Sequence, residues 1–404
     1  MNSLLEISNR LINNIKTNYV RSIIETIDWN QSVIEIRGSR GVGKTTLLLQ
    51  KAKSISKTGK KVIYISLDTP YFFNHSLFDF AVSFSKFGGE YLFIDEIHRY
   101  PSKHKNSDWS LELKNIIDAL PELKIIYSGS SILHLFKGNG DLSRRRASYL
   151  MNGLSFREYL SLNKIASFDK IDYSAILENH YEIAQKLTEE IKPLLHFNNY
   201  LKFGYYPFFK ENENVYYDQL QNIIHLIIDA DLPYLASIST SAKEQLKRLL
   251  GAISTTVPYT PNMKNLAEII EITDQRTLLK YLQLLEEAQI INLVKSDALG
   301  NKSLQKPDKI LINNTNLMYA LGMKNTEKGT IRETFFYNQL SFKERIVYSK
   351  IGDFKVNEND IFEIGGKNKG KKQIAGIENA FIISDDIEIG FGKKIPLWLF
   401  GLMY

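Results

Sequence analysis

The stretch RGSRGVGKTTLLLQ, at positions 37–50, fills the pattern G-x-x-x-x-G-K-[ST] with Gly38, Gly43, Lys44 and Thr45. Glycines at these positions let backbone N–H groups turn towards phosphate oxygens, where a side chain would collide. The lysine supplies a positive charge for the β- and γ-phosphates, and the threonine hydroxyl suits Mg²⁺. The pattern therefore predicts a loop that binds the phosphates of ATP.

The sequence around this loop has the context that the motif requires. SVIEI precedes it with the apolar character of a short buried strand, and KTTLLLQKAKSISKTG follows with helical spacing and a glycine stop. The phosphates would then lie at the N-terminus of a helix. We expect nucleotide contacts from nine consecutive residues: Gly38, Ser39, Arg40, Gly41, Val42, Gly43, Lys44, Thr45 and Thr46.

Two acidic residues follow a later apolar run. KKVIYISLD, at positions 60–68, predicts a second strand, and YLFIDEIH predicts a third that ends at Asp95 and Glu96. Because ligands bind at the carboxyl ends of strands in open α/β sheets, we expect both carboxylates beside the phosphate loop. There Asp95 would hold Mg²⁺ with Thr45, and Glu96 would orient and polarise the attacking water. A strand end that is merely acidic is the alternative.

Hydroxyl side chains end the fourth predicted strand, LKIIYSGSS, at positions 123–131. We expect Ser128 to lie between the two carboxylates and the γ-phosphate, with Ser130 as the second candidate. Helix capping is the competing explanation for Ser130 and Ser131, because the apolar run ILHLF follows.

Three arginines, Arg144, Arg145 and Arg146, stand in a row within DLSRRRASYLMNGLSFREYL. An arginine from one subunit could reach the γ-phosphate bound by its neighbour and stabilise the charge of the transition state. A solvated basic turn explains the same residues without any catalytic role.

Length and composition limit the class of protein. The chain has 404 residues, enough for two or three domains, and its 44% hydrophobic and 24% charged residues are ordinary for a globular protein. It has no cysteine, which excludes disulfides and thiolate metal sites, and no apolar run of ~18 residues that could cross a membrane. We therefore expect a soluble, cytoplasmic protein. The net charge of +6 permits contact with nucleic acid without requiring it, and the final IPLWLFGLMY predicts a buried strand.

Eight segments occur in the order seen in a known family: GSRGVGKTTLL, LFIDEIHRYP, YSGSSILHL, DLSRRR, GLSFREYL, RETFFYNQL, GDF and FEIGGKNK. Over nearly its whole length the chain resembles bacterial and archaeal AAA+-like ATPases whose C-terminal region is a domain of unknown function. The resemblance implies ATP binding and hydrolysis by an ASCE-type P-loop domain, a winged-helix segment, and a terminal α/β domain similar to the PD-(D/E)xK nuclease fold. It also favours Arg145, with Arg144 adjacent, as an arginine acting across a subunit boundary in a homo-oligomer.

These expectations divide the chain into four parts: a P-loop ATPase domain at 1–160, a helical linker subdomain at 161–236, a winged-helix domain at 237–321, and a nuclease-like domain at 322–404. Aromatic residues punctuate the linker, and Gly204 and Pro207 predict loops within it. No residue pattern in the linker indicates chemistry.

The predicted winged helix consists of three helices followed by a strand pair. Its helices are SAKEQLKRLLGAISTTV, NMKNLAEIIEI, and one that begins after Thr273 or Asp274 as N-cap. Polar residues of the third helix could contact the major groove of DNA: Gln275, Arg276, Lys280 and Gln283. Glu286 and Glu287 on the same helix would repel phosphate, so packing or protein contact is the alternative role.

The terminal region repeats a nuclease-like order of a helix followed by strands. By the resemblance, Asp353 and Glu363 would hold a divalent cation, Glu333 could add a ligand, and a lysine two residues after Glu363 would activate water. That position is Gly365, and the nearest lysine, Lys367, would lie a further ~7 Å along a straight strand. We therefore expect a domain without nuclease activity, and the basic run KNKGKK is either a phosphate-contacting loop or a solvated turn.

Two functional hypotheses follow. The first is a Mg²⁺-dependent ATPase that couples its nucleotide state to its C-terminal modules. The second is an ATP-regulated DNA-binding protein or nuclease. A third possibility, an adaptor that binds nucleotide without hydrolysing it, is disfavoured by the intact pair of Asp95 and Glu96.

Overall fold

A computed structural model describes most of the chain, namely residues 2–101, 109–132, 142, 144–211, 213–233, 238–255, 262–297, 306–322, 328–370 and 372–404. These residues form two compact units. The first ends at Asn152, and the second is made of Gly153–Pro233 and Ile238–Tyr404. The finer division of the sequence into four parts stays a prediction.

One parallel sheet organises the first unit. Its strands are β1 (Val33–Gly38), β2 (Val62–Ser66), β3 (Tyr91–Asp95), β4 (Lys124–Ser130) and β5 (Ala147–Leu150). The order across the sheet is β2-β3-β4-β1-β5, and all neighbouring strands are parallel. Because β4 lies between β1 and β3, the strand that enters the phosphate loop is one strand away from the strand that ends at Asp95. The predicted α/β parallel sheet of the P-loop class is confirmed.

The helices of the first unit are α1 (Asn2–Asn14), α2 (Ile23–Thr26), α3 (Lys44–Ser56), α4 (Leu77–Lys86) and α5 (Trp109–Ala119). Helix α3 begins directly after the phosphate loop and buries Leu47 and Leu48 completely. It also holds the end of α1, since Lys53 Nζ donates to the Asn13 carbonyl oxygen over 2.7 Å. The N-terminal helix is thereby tied to the helix that follows the loop.

The sequence pattern does not reveal β5. This strand is only four residues long, follows three arginines and has no fully buried residue, so neither alternation nor an apolar run marks it. Its pairing with β1 places it beside the loop strand. The helix predicted from ILHLF lies, apart from Ile132, outside the described residues.

The α-helices described in the second unit are α6 (Phe156–Leu162), α7 (Tyr173–Glu190), α8 (Pro193–Phe203), α9 (Tyr216–Leu226), α10 (Thr240–Ser254), α11 (Met263–Ile269), α12 (Gln275–Glu287), α13 (Thr315–Ala320) and α14 (Lys328–Leu340). Asp274 caps α12 by accepting from the Arg276 amide at 3.0 Å, which decides between the two predicted caps. Among all described helices, none is long and apolar enough to cross a membrane.

The strands of the second unit are β6 (Ile291–Val294), β7 (Lys309–Ile312), β8 (Ile346–Tyr348), β9 (Phe354–Val356), β10 (Asp360–Gly365), β11 (Ala380–Ser384) and β12 (Lys394–Pro396). Strands β6 and β7 form an antiparallel pair after α12, as the sequence predicts. The other five form a mixed sheet in which β8, β9 and β10 are antiparallel and β10, β11 and β12 are parallel.

The prediction of a terminal strand over IPLWLFGLMY was wrong for most of its length. Strand β12 ends at Pro396, and Leu397–Leu402 forms a buried 3₁₀ helix. Proline cannot donate a backbone hydrogen bond to a neighbouring strand, and an apolar run without alternation fits a buried helix as well as a buried strand.

Candidate nucleotide site

The phosphate loop depends on glycine at three positions. Gly41 and Gly43 have φ angles of 84° and 100°, in the left-handed region that side chains disfavour. Gly38 is required for a different reason: a Cβ atom there would come within 2.3 Å of the Met151 carbonyl oxygen. The loop is therefore fixed on one side by its own turn and on the other by the chain leaving β5.

Lys44 lies across this loop. Its ammonium donates to the carbonyl oxygens of Gly38 at 2.9 Å and Ser39 at 3.0 Å, and the residue is 5% exposed. Thr45 and Thr46 follow in the first turn of α3 and are exposed. The backbone N–H groups of that turn are the groups with which helix N-termini bind anions.

Asp95 is the most strongly held acid of the site. Its Oδ2 atom accepts from Thr45 Oγ1 at 2.6 Å and from the Tyr64 hydroxyl at 2.8 Å, while Ser128 Oγ donates to Oδ1. Burial and the charge of Asp95 raise the pKa of Tyr64, so its phenol stays protonated and donates. The sequence-predicted pair of Thr45 and Asp95 is thus in direct contact in this structure.

This arrangement fits Mg²⁺. The three side-chain atoms that donate hydrogen bonds to the Asp95 carboxylate are oxygens, the ligand type that Mg²⁺ prefers. The hydrogen-bond donors are neutral hydroxyls, which bring no positive charge to the carboxylate. A loop of backbone amides next to an acidic side chain is also the combination that nucleoside triphosphates with Mg²⁺ require.

Glu96 has an unusual backbone. Its φ of 52° and ψ of 49° are left-handed, a conformation that costs energy for a residue with a side chain. Its amide donates to Ser128 Oγ at 3.2 Å, so this serine contacts both acidic residues. The Glu96 carboxylate lies 3.2 Å from Nε2 of buried His98.

The structure gives the three arginines different roles. Arg146 is largely buried and lies 3.2 Å from the carboxylate of Glu35, a fully buried acid in β1. Arg145 forms an ion pair with Asp118 of α5, and both side chains are substantially exposed. Arg144 is exposed. Of the three, Arg145 and Arg144 remain accessible to another molecule.

Several residues around the loop were missed by the sequence reasoning: Tyr64, Arg21, Glu35 and His98. A signal existed for Glu35, since a glutamate inside SVIEI must find a cation once the strand is buried. A tyrosine within the buried strand VIYIS likewise needs a polar partner for its hydroxyl. Nothing local pointed to Arg21 or His98.

A cleft of about 830 Å³ opens beside these groups within the first unit. Arg40, Thr45, Asp95 and Glu96 line its polar part, whereas Leu4, Ile7 and Leu11 of α1 line an apolar part. The cleft therefore joins the predicted Mg²⁺ ligands to the N-terminal helix.

Comparison with known proteins bears on both units. Residues 30–160 match the family described as AAA domain, and residues 194–328 match a domain of unknown function, DUF8612. An uncharacterized protein of Methanocaldococcus jannaschii is 26% identical over 293 residues, which are 69% of this chain and 60% of that protein. The chain thus spans less than two thirds of that relative.

Solved structures show a weaker likeness. A Walker-type ATPase of Pyrococcus abyssi is similar over 79% of this chain and 95% of its own, with 13% identity and a TM-score of 0.41. DnaA of Aquifex aeolicus bound to AMPPCP is similar over 70% of this chain and 88% of its own, with 17% identity and a TM-score of 0.27. The assignment rests instead on the family match and the residues of the loop. Residues 30–160 therefore form a P-loop domain that is similar to the AAA domain family.

Proposed function

We propose that the chain binds ATP together with Mg²⁺ and hydrolyses it to ADP and phosphate. The observation that carries this proposal is the buried carboxylate of Asp95, presented beside the phosphate loop by three neutral hydroxyl donors. When bound, Mg²⁺ would neutralise charge on the phosphate oxygens. Thr45 and Asp95 are the residues that would hold it.

Lys44 would exchange partners when ATP arrives. Its ammonium is now satisfied by two neutral carbonyl groups of the loop. An anionic phosphate oxygen attracts the ammonium more strongly than a neutral carbonyl oxygen does, so phosphate oxygens would replace these carbonyls. The side chain needs little reorganisation, because it already lies within the loop.

Glu96 would orient the attacking water and accept its proton. The left-handed backbone and the contact with Ser128 fix where the residue leaves β3, and the side chain is partly exposed. Its carboxylate would leave His98 to reach a water at the γ-phosphate. Ser128 contacts both Asp95 and the Glu96 amide, so a movement of Asp95 on binding Mg²⁺ would also shift the backbone of Glu96.

Calorimetry with ATP and Mg²⁺ tests the proposal. We expect binding in the micromolar range or tighter, about −8 kcal/mol, and release of phosphate on incubation. The Asp95→Asn protein should bind ATP without a response to Mg²⁺. Failure of the unaltered protein to take up any adenine nucleotide would rule the function out.

Arg21 supports the further proposal that nucleotide state is coupled to the second unit. This buried guanidinium donates to the Val42 carbonyl of the phosphate loop and to the Asn152 carbonyl, each at 2.8 Å. Asn152 is the last residue of the first unit before the chain continues at Gly153. A movement of the phosphate loop would therefore shift Arg21 and, through its second hydrogen bond, the segment that leads into the second unit.

Hydrogen exchange tests the coupling. In the Glu96→Gln protein, ATP should change exchange rates in the second unit, and Arg21→Met should reduce that change. Arg10→Met, at an exposed arginine of α1, is the matched control. Coupling through Arg21 is wrong if Arg21→Met and Arg10→Met respond to ATP alike.

DNA binding is a second candidate function, supported by the surface of α12. Gln275, Arg276 and Lys280 are exposed on this helix. Glu286 is one of the two acids expected to repel phosphate. It accepts a hydrogen bond from the Leu293 amide of β6 at 2.9 Å, so its carboxylate is directed towards that strand. Binding to duplex DNA should weaken steeply with salt, and Arg276→Ala should reduce the slope of log affinity against log salt by about 1. No binding at low salt would remove this candidate.

A further inference from the structure

A second group of acids lies in the C-terminal sheet, far along the chain from the phosphate loop. It consists of Glu333 on α14, Asp353 immediately before β9, and Glu363 on β10. Two lysines, Lys309 on β7 and Lys369 after β10, contact these acids. We call these five residues the lysine–acid cluster.

Lys309 bridges two of the acids. Its ammonium is 2.7 Å from Glu333 Oε2 and 3.8 Å from Asp353 Oδ1, and the side chain is only 12% exposed. The ring of Phe354 lies 5.0 Å from the same nitrogen, within range of a cation–π contact. The lysine thus occupies a position between carboxylates, where a divalent cation would otherwise be expected.

Other carboxylate oxygens of the cluster also have hydrogen-bond or ion-pair partners. Lys369 forms an ion pair with Glu363, which is 1% exposed. Asp353 Oδ2 accepts from the Ile364 amide at 2.7 Å. Among the described residues, Glu363 Oε2 has no hydrogen-bond partner. In this part of the structure, a metal would find one buried carboxylate oxygen without a hydrogen-bond partner.

Gly365 explains how Lys369 reaches Glu363. A Cβ atom on this glycine would lie 2.6 Å from the Lys369 side chain, so any larger residue would block its path. By the family resemblance, Gly365 stands where an active nuclease has its lysine. The lysine that pairs with Glu363 is Lys369 and not Lys367, the nearest lysine in sequence.

We propose that Lys309 and Lys369 take the place of the divalent cation, so that the lysine–acid cluster is a metal-independent ion network joining β7 and α14 to β9 and β10. Two ammonium groups face three carboxylates, which leaves little negative charge to attract a metal. Burial raises the pKa of Glu333 and of Glu363, and the neighbouring lysines counteract that shift. Divalent metal would have to displace a partly buried lysine and leave its charge uncompensated.

Manganese binding by the full chain tests the proposal. Asp95→Asn serves as the background, because it removes the metal ligand of the phosphate loop. We expect no Mn²⁺ binding below millimolar concentration by electron paramagnetic resonance, and no change of Tm with Mn²⁺. Adding Lys309→Met should tighten Mn²⁺ binding by about 10-fold or more, because it removes a positive charge that would repel the cation at short range. Adding Asp353→Asn should abolish the gain.

Two further variants keep the test decisive. Lys309→Arg retains a cation and should not gain Mn²⁺ binding. Lys369→Met, at a more exposed lysine, is the substitute if Lys309→Met does not fold, and it should show the same gain. The proposal is overturned if the background protein already binds Mn²⁺ through Asp353, or cleaves DNA with Mn²⁺ in an Asp353-dependent way. It is equally overturned if no folded lysine variant binds more Mn²⁺ than the background.

Discussion

Asp95 and the acids of the lysine–acid cluster differ in the charge of the groups that contact them. Asp95 accepts hydrogen bonds from Thr45, Tyr64 and Ser128, all of them neutral. In the lysine–acid cluster, Asp353 and Glu363 face ammonium groups. Neutral donors leave the negative charge of a carboxylate uncompensated, whereas an ammonium group neutralises it.

The difference teaches that buried acidic residues on strands do not by themselves make a metal site. Asp95 ends β3 and Glu363 lies on β10, and both are almost fully buried. What separates them is the charge of the partner. We propose that the sheet offers a cation site where the surrounding donors are neutral, and a structural ion network where they are lysines.

The largest expected effect compares one acid from each group. Asp95→Asn should lower ATP turnover by about 1000-fold, because it removes a ligand worth several kcal/mol to the transition state. Asp353→Asn should leave turnover within about 2-fold, since it lies outside the proposed ATPase site. Steady-state phosphate release checks both. Equal losses would mean that the two groups are not functionally distinct.

Glu96→Gln should lower turnover by about 100-fold or more, the usual contribution of a positioned base. Binding of ATP should be nearly unaltered, because glutamine keeps the shape of the side chain. Single-turnover kinetics and calorimetry separate the two quantities. Turnover at the unaltered rate would show that another group activates the water.

The two lysines of the comparison should respond differently. Lys309→Met should lower the free energy of unfolding by about 2 kcal/mol, less than the ~3–5 kcal/mol of a fully buried broken pair, because the site is partly solvated. Lys44→Ala should abolish turnover and weaken ATP binding, with a smaller loss of stability, since its partners are neutral carbonyls.

Urea unfolding measures these stabilities, and Lys355→Met is the matched control. Lys355 pairs with Asp297 at 3.6 Å on the surface, where an ion pair contributes at most about 1 kcal/mol. If Lys309→Met and Lys355→Met destabilised the protein equally, Lys309 would not be a buried replacement for a cation.

Tyr64→Phe should raise the Mg²⁺ concentration for half-maximal turnover by about 10-fold, the lower end of the effect of removing a hydrogen bond to a metal ligand. The maximal rate should change less. Tyr91→Phe, at the start of β3, is the control for losing a tyrosine hydroxyl from the same sheet. An unchanged Mg²⁺ dependence would assign Tyr64 a packing role only.

The smallest effect concerns the exposed pair of Arg145 and Asp118. Asp118→Asn should change the free energy of unfolding by less than about 1 kcal/mol, as expected for a surface ion pair.

Arg145→Ala tests whether this arginine acts on a neighbouring subunit. In that case the substitution should remove the part of ATP turnover that rises with protein concentration. A loss that is the same at every dilution would favour a role within one chain.

Contacts between residues close in the chain could be predicted from the sequence, whereas contacts between distant residues could not. The order of β1, the loop and α3 was predicted, because glycine, lysine and threonine at fixed spacing need only the strand and helix beside them. The contact of Tyr64 with Asp95 was not, since it depends on the register that pairs Ser66 with Asp95. Likewise, the sequence does not show which of the three arginines pairs with Glu35. The structure shows that it is Arg146, because Glu35 is buried next to it.

The sequence alone determined that a phosphate-binding loop is present, and where its acidic partners lie at the end of a strand. Those features follow from neighbouring residues and from the rule that parallel strands end at one edge of the sheet. The tertiary structure decided which donors surround each acid, because Lys309 and Asp353, or Tyr64 and Asp95, are far apart in the chain. The charge of a partner brought in by folding, rather than the acid itself, decides whether a carboxylate is free to hold a metal.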